Sequence, residues 1–173
     1  SIAYYHLQNG DQYVLNENEI VNAASTTKVA TAMLFADLIA AGELDWESEL
    51  PYYDSYYEEG EGAITNLEKR DSYPIDELIY EMFVHSDNTA TNILALYYID
   101  YYGNYWEAMT NLSGVEEVNP VVNEGNYSTA EILAQTLIRL TEEEKYGRIV
   151  SIMQEAQAGF RLKKYIEEGM AAK

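Results

Sequence analysis

No cysteine occurs among the 173 residues, so disulfides, thiol nucleophiles and zinc–thiolate sites are excluded together. Histidine is nearly absent as well. His6 and His85 are too few for a histidine-rich metal centre, and neither a metal nor a cofactor is expected. No run of about 18 apolar residues occurs, so no stretch reads as a membrane span. The longest apolar stretch, Val29 to Ala41, is broken by Thr31 and Asp37. Positive charge is scarce: 10 Lys and Arg stand against 30 Asp and Glu, for a net charge of -20. Such a surface repels a polyanion, which argues against nucleic acid as a partner. Solvation and solubility are the plain account of the acidity, and a cationic partner is the sharper one. Ser1-Ile2-Ala3-Tyr4 opens directly in a strand-like pattern. No secretory leader is recognisable there, so a mature or trimmed chain is expected.

What is present is a globular pattern, 47% hydrophobic, long enough for one ordinary domain with a real core. Residues 1–15 read as a β-hairpin. Ile2, Tyr4 and Tyr5 lead to His6-Leu7, Asn9-Gly10 offers a tight turn, and Gln12-Tyr13-Val14-Leu15 returns. A helix is expected from about Thr26 to Ala41, stopped by Gly42. Its apolar residues point nearly all round, which predicts burial on every side. Residues 42–73, acidic and tyrosine-rich, read as connection. A second helix follows Pro74, with Ile75, Leu78, Ile79, Met82 and Phe83 on one face. Ser86-Asp87-Asn88 interrupts it, and a third helix runs to about Tyr101 before Gly103. A short helix is expected over 105–112, and a loop with Pro120 and Gly125 over 113–127. Ser128 or Thr129 then caps a helix carrying Ile132, Leu133, Leu137, Ile138 and Leu140. Further helix is expected over 144–157 and from Phe160 to Ile166. No repeat or linker divides residues 1–173, which are expected to form a single domain.

Two short motifs carry chemistry. Ser25-Thr26-Thr27-Lys28 puts a hydroxyl at the first turn of the buried helix and an amine three residues on, on the same face. Burial and the positive end of the helix dipole both disfavour the charged amine, so Lys28 can be neutral and act as a base toward Ser25. A serine with a lysine at that spacing arises about once by chance in a chain this long. Its plain alternative is a capping serine and a lysine snorkelling to the surface. The second motif, Ser86-Asp87-Asn88, lies in a helix break and occurs by chance in only roughly a few per cent of chains. For Asp87 a capping or other structural role is expected.

Together the motifs make the chain resemble the class A β-lactamases and penicillin-binding proteins. In that family the serine-aspartate-asparagine motif follows the nucleophile by about sixty residues. Here Ser86 follows Ser25 by 61 residues. The resemblance implies an α/β fold, an antiparallel sheet flanked by a helical lobe with the site in the cleft between. It implies that Ser25 is acylated and its backbone N–H forms one arm of an oxyanion hole, with Lys28 as the base. Ser86 would pass a proton to the leaving nitrogen, and Asn88 would hold the substrate amide and orient the lysine. The implied activity is acyl-enzyme hydrolysis of β-lactams, hence antibiotic resistance, or of D-alanyl amides of the peptidoglycan stem peptide. The implied location is secreted or at the bacterial cell envelope.

Two departures qualify the resemblance. Lys173 sits where a third motif, lysine-threonine-glycine, would begin, and is carried over as a substrate-binding residue, but no threonine and glycine follow it. A fragment of a longer product is therefore expected, with the C-terminal strands missing and weak catalysis on its own. Second, the loop 113–127 lacks the glutamate-any-any-leucine-asparagine pattern that frees the acyl-enzyme in β-lactamases. Glu116, Glu117 and Glu124 are nearby but do not match it. A penicillin-sensitive D,D-peptidase is thus the nearest rival. A non-catalytic cell-wall-binding domain is the rival from another class, with the paired tyrosines as sugar-stacking surfaces, although core or surface packing is their plainer role.

Overall fold

The computed structural model describes residues 1–156, so the helix expected from Phe160 to Ile166 lies outside the described residues. Strands β1 (Ile2–Tyr5) and β2 (Gln12–Leu15) form the expected hairpin, with Ile2 opposite Leu15 and Tyr5 opposite Gln12. Its connection is wider than a two-residue turn and spans residues 6–11. The His6 N–H donates to Asp11 O at 2.8 Å and the Gly10 N–H to His6 O at 2.9 Å. Asn9 contributes its side chain, not a left-handed backbone: Oδ1 accepts from the Asp11 N–H at 2.9 Å. Only Gly10 there has positive φ, at 78°.

The chain then reaches helix α1 (Thr27–Ala40), which ends at Gly42 with φ 76°. Residues 30–36 of α1 are all buried, and Ala32, Met33 and Phe35 are wholly inaccessible. Met33, Leu34 and Phe35 of this helix each contribute about 1.5–3 kcal/mol to the core as large apolar side chains removed from water. Around it pack α3 (Ile75–Val84), α4 (Asn88–Tyr102), α5 (Tyr105–Leu112) and α6 (Ala130–Glu142). The two polar side chains that interrupt the apolar run of α1 both find partners. Thr31 Oγ1 lies 2.6 Å from the Tyr105 hydroxyl, and Asp37 accepts from the Tyr146 hydroxyl and the Lys145 amine, both at 2.8 Å. The α3 stripe buries Ile75, Leu78, Ile79 and Met82 as expected. Thr129 is the cap of α6, its Oγ1 accepting from the Ile132 N–H at 3.1 Å. The expected helix over 144–157 is a 3₁₀ turn (Glu144–Tyr146) followed by α7 (Gly147–Glu155).

Residues 42–73 are more than connection. They hold the short helix α2 (Ala63–Asn66) and two strands, β4 (Glu49–Pro51) and β5 (Ser72–Pro74), paired with Leu50 opposite Tyr73. A third ladder joins β3 (Val21–Asn22) to β6 (Tyr127–Ser128). Strands of two or three residues have no alternation to read, so these pairings are invisible in the sequence. The result is a mixed α/β fold dominated by its helical lobe, with the antiparallel strands of the described residues in three two-stranded ladders. Among the described residues no helix is long and apolar enough to cross a membrane.

The break between α3 and α4 is held from both sides. Asp87, fully buried, caps α4 by accepting from the Ala90 N–H at 2.9 Å. It also accepts from the Thr65 N–H at 2.9 Å and the Thr65 hydroxyl at 2.8 Å, tying α2 to the break. Gly62, with φ 99°, passes so close that a β-carbon there would overlap the Asp87 carboxylate. Gly62→Ala is therefore expected to cost about 3 kcal/mol or more, combining left-handed strain with an overpacked contact. Gly114→Ala, at φ 69° with nothing within 4 Å, carries only the strain. It should cost about 1–2 kcal/mol. Urea unfolding of the two variants measures the difference, and equal losses would refute the packing argument.

Candidate active site

Ser25 does not stand in α1 but in the 3₁₀ turn (Ala24–Thr26) that feeds it. The turn is entered through Ala24 at φ 48°, a left-handed conformation that costs an alanine about 1–2 kcal/mol. Neighbours hold it there. Asn22 Oδ1 accepts from the Ala24 N–H at 2.9 Å, and the Thr27 hydroxyl donates to Ala24 O at 3.0 Å. The outcome is an exposed Ser25 hydroxyl at the mouth of a buried helix.

Lys28, one turn on, is 5% exposed. Its Nζ lies 2.8 Å from Ser86 O, 3.0 Å from Ser86 Oγ and 3.1 Å from Asn88 Oδ1. Ser86 Oγ lies in turn 3.5 Å from Ser25 Oγ. The sequence reading puts the amine directly beside Ser25. In the structure its hydrogen bonds go to Ser86 and Asn88, and Ser86 Oγ stands in contact with both Lys28 and Ser25. Ser86 is itself left-handed, at φ 56°, so strained backbone presents each of the two hydroxyls.

The partners of Lys28 constrain its chemistry. Ser86 O and Asn88 Oδ1 can only accept, so they take two N–H bonds. A neutral amine has two N–H bonds and one lone pair, and the third contact then faces the lone pair toward the Ser86 hydroxyl. Burial holds the Lys28 amine below the usual lysine range, partly offset by the Asp87 carboxylate. The arrangement can carry a proton from Ser25 through Ser86 to Lys28.

Asn88 is fixed at its other end, where Nδ2 donates to Glu59 O at 3.0 Å. Gly60 lets that loop approach, since a β-carbon there would come within 2.8 Å of Asn88 Nδ2. Asp87 serves structure, as the sequence suggests, and faces Thr65 and Ala90, not the hydroxyls. A cleft of about 410 Å³ runs from Ser25, Lys28 and Asn88 along α4 to Trp106. A separate, more apolar hollow of about 250 Å³ lies between α1, α5 and α6 but includes neither Ser25 nor Lys28, so the chemistry points to the first.

Sequence reasoning missed Glu58, Asn92 and Asn126, which also line the cleft. Glu58 sits in an acidic run that reads as a solvated loop, and no local signal distinguishes it. None of Glu116, Glu117 and Glu124 lines the cleft. His85 is the exposed end of α3, its ring against Tyr80. Tyr97 and Tyr98 pack on Phe35, and Tyr97 also on Tyr101. Lys173 lies outside the described residues.

The lowered amine has a consequence for stability. Between the lowered Lys28 pKa and the ordinary lysine value the unfolded chain binds one more proton than the folded one, so stability rises with pH across that window. Urea unfolding at steps from neutral to alkaline pH should give Lys28→Met a less positive slope than the wild type, because the buried tyrosines, whose raised pKa values act in the opposite sense, are common to both. Identical slopes would mean the buried amine is not shifted.

Comparison with known proteins gives a family and a fold. The model of the "Beta-lactamase enzyme family" matches residues 1–172. Among curated proteins none matches the chain. A beta-lactamase from Sphaerobacter thermophilus superposes with a TM-score of 0.74 at 22% identity, over 93% of this chain and 65% of that one. PBP-A gives 0.71 at 19% identity, over 89% and 61%, and a point mutant of PBP-A has been seen as an acyl-enzyme complex with penicillin-G. A D-alanyl-D-alanine carboxypeptidase from Francisella tularensis gives 0.65 at 20% identity, over 88% and 38%. The chain thus spans less than two thirds of the length of each of these structures, all of which share its fold. With the family model matched over almost its whole length, the chain belongs to the beta-lactamase enzyme family.

Proposed function

We propose that residues 1–173 form one catalytic domain of a serine hydrolase that opens β-lactam or D-alanyl amide bonds through an ester on Ser25. The observation that carries this reading is the Ser86 hydroxyl, 3.5 Å from Ser25 Oγ and 3.0 Å from the Lys28 amine. Ser25 Oγ attacks the carbonyl carbon while its proton passes to Ser86 Oγ and the Ser86 proton to Lys28. As the tetrahedral intermediate collapses, the lysine proton returns through Ser86 to the leaving nitrogen. The ester remains on Ser25, and water then cleaves it. Asn88 keeps the amine aimed and offers its amide to the substrate. The family pattern alone adds Lys173 to the substrate-binding set.

The loop 113–127 favours a penicillin-sensitive D,D-peptidase over a fast β-lactamase, because none of its acids lines the cleft. A cell-envelope or extracellular location follows from those substrates. A purely binding domain is the weaker reading. It has no use for an amine buried against its own desolvation or for two hydroxyls held on strained backbone.

Intact mass after addition of penicillin tests the proposal. The wild type should gain one covalent equivalent mapping to Ser25, and Ser25→Ala none. Ser86→Ala should acylate about 100-fold or more slowly, the ordinary worth of a positioned proton carrier. A folded wild type that never forms the adduct sinks the reading.

A further inference from the structure

We propose that Glu58 is the base that activates the water releasing the ester from Ser25. The inference rests on the acyl-enzyme reading above and supplies its missing half. Cleaving a serine ester requires a water whose proton has somewhere to go. Of the ionisable groups lining the Ser25 cleft, Lys28 points at Ser86 and Asn88, and Tyr105 is a phenol pushed up to about 12 by burial and bonded to Thr31. Glu58 is the one carboxylate among the described residues that line the cleft.

Its position is built. The Glu58 N–H donates to Thr89 Oγ1 at 3.2 Å, and Glu58 O accepts from the Thr89 hydroxyl at 3.0 Å. Thr89 and Thr65, both buried, form the same network as Asp87, with Thr65 Oγ1 2.9 Å from Thr89 Oγ1 and 2.8 Å from Asp87 Oδ1. One residue on, Glu59 O receives Asn88 Nδ2 at 3.0 Å. The backbone at 58–59 is therefore fixed to the segment that carries Ser86 and Asn88. The side chain itself is exposed, and among the described residues no ion pair holds it. Glu58 thus lines the Ser25 cleft from a backbone pinned by Thr89, and Lys28, the other charged residue of that lining, is occupied by Ser86 and Asn88.

In the step assigned to it, water oxygen bonds to the ester carbonyl carbon as one of its protons moves to a Glu58 oxygen. The tetrahedral species then breaks its bond to Ser25 Oγ, and that proton returns to Oγ. The product acid leaves and both side chains are restored.

The test follows the penicillin-G adduct on the full chain by intact mass, separating its formation from its decay. Glu58→Gln should acylate within about twofold of the wild type and hold the adduct about 100-fold longer, with Glu58→Asp between the two. Glu58 is exposed and its backbone bonds survive the change, so folding is not at issue. An adduct in Glu58→Gln no longer-lived than in the wild type overturns the assignment. So does a slowed formation with unchanged decay, which would make Glu58 a substrate-binding group. Absence of any adduct on the folded wild type defeats the acyl-enzyme reading itself, a result distinct from both.

Discussion

A lysine amine removed from water sets the terms for much of this molecule. Lys28 is buried because the helix that carries it is apolar on every side and forms the centre of the lobe. A buried amine without partners is strongly destabilising, so acceptors must be delivered to it. They come from Ser86 and Asn88, residues 58 and 60 positions away, and only because the chain breaks between α3 and α4 at that level. The break in turn depends on Asp87, whose buried carboxylate is satisfied by Thr65 and Ala90. Thr65 can reach it because Gly62 lets the loop pass without a side chain. Amine, helix break, carboxylate and glycine thus form one dependency, and removing any of them unsettles the next.

Strain is concentrated where that dependency meets solvent. Ala24 and Ser86 are two of the three non-glycine residues with positive φ among the described ones, and they set the two exposed hydroxyls. Left to themselves both segments would relax to ordinary backbone and carry the hydroxyls with them. Side-chain bonds from Asn22 and Thr27 hold the first, and the Lys28 bond to Ser86 O helps hold the second. The Lys28 bond to Ser86 O thus both satisfies the buried amine and helps hold the Ser86 hydroxyl in place.

The core makes this possible without special composition. Thr31 and Asp37, which interrupt the apolar run of α1, are not defects: Tyr105 and the Lys145–Tyr146 pair meet them from α5 and from the turn before α7. The tyrosines that look like a sugar platform in the sequence include Tyr97 and Tyr98, which instead pad α4 against Phe35.

By itself the sequence determined the features that depend on neighbours a few residues away. The buried character of α1, the apolar stripe of α3, the Thr129 cap, the structural role of Asp87 and the two motifs at their spacing are local patterns of size, polarity and period. Tertiary structure alone decided what depends on chain segments meeting from afar. The ladders β3–β6 and β4–β5 are too short to have a pattern. The wide hairpin connection over 6–11 was settled by hydrogen bonds that outcompeted an Asn-Gly turn. Ser86 came to stand between Ser25 and Lys28, and Glu58 came to face their cleft, because a loop far from either in sequence is pinned to the same helix break. Residue type says what a side chain can do. Where its hydroxyl, amine or carboxylate points is fixed only once buried groups have found their partners, and those partners lie elsewhere in the chain.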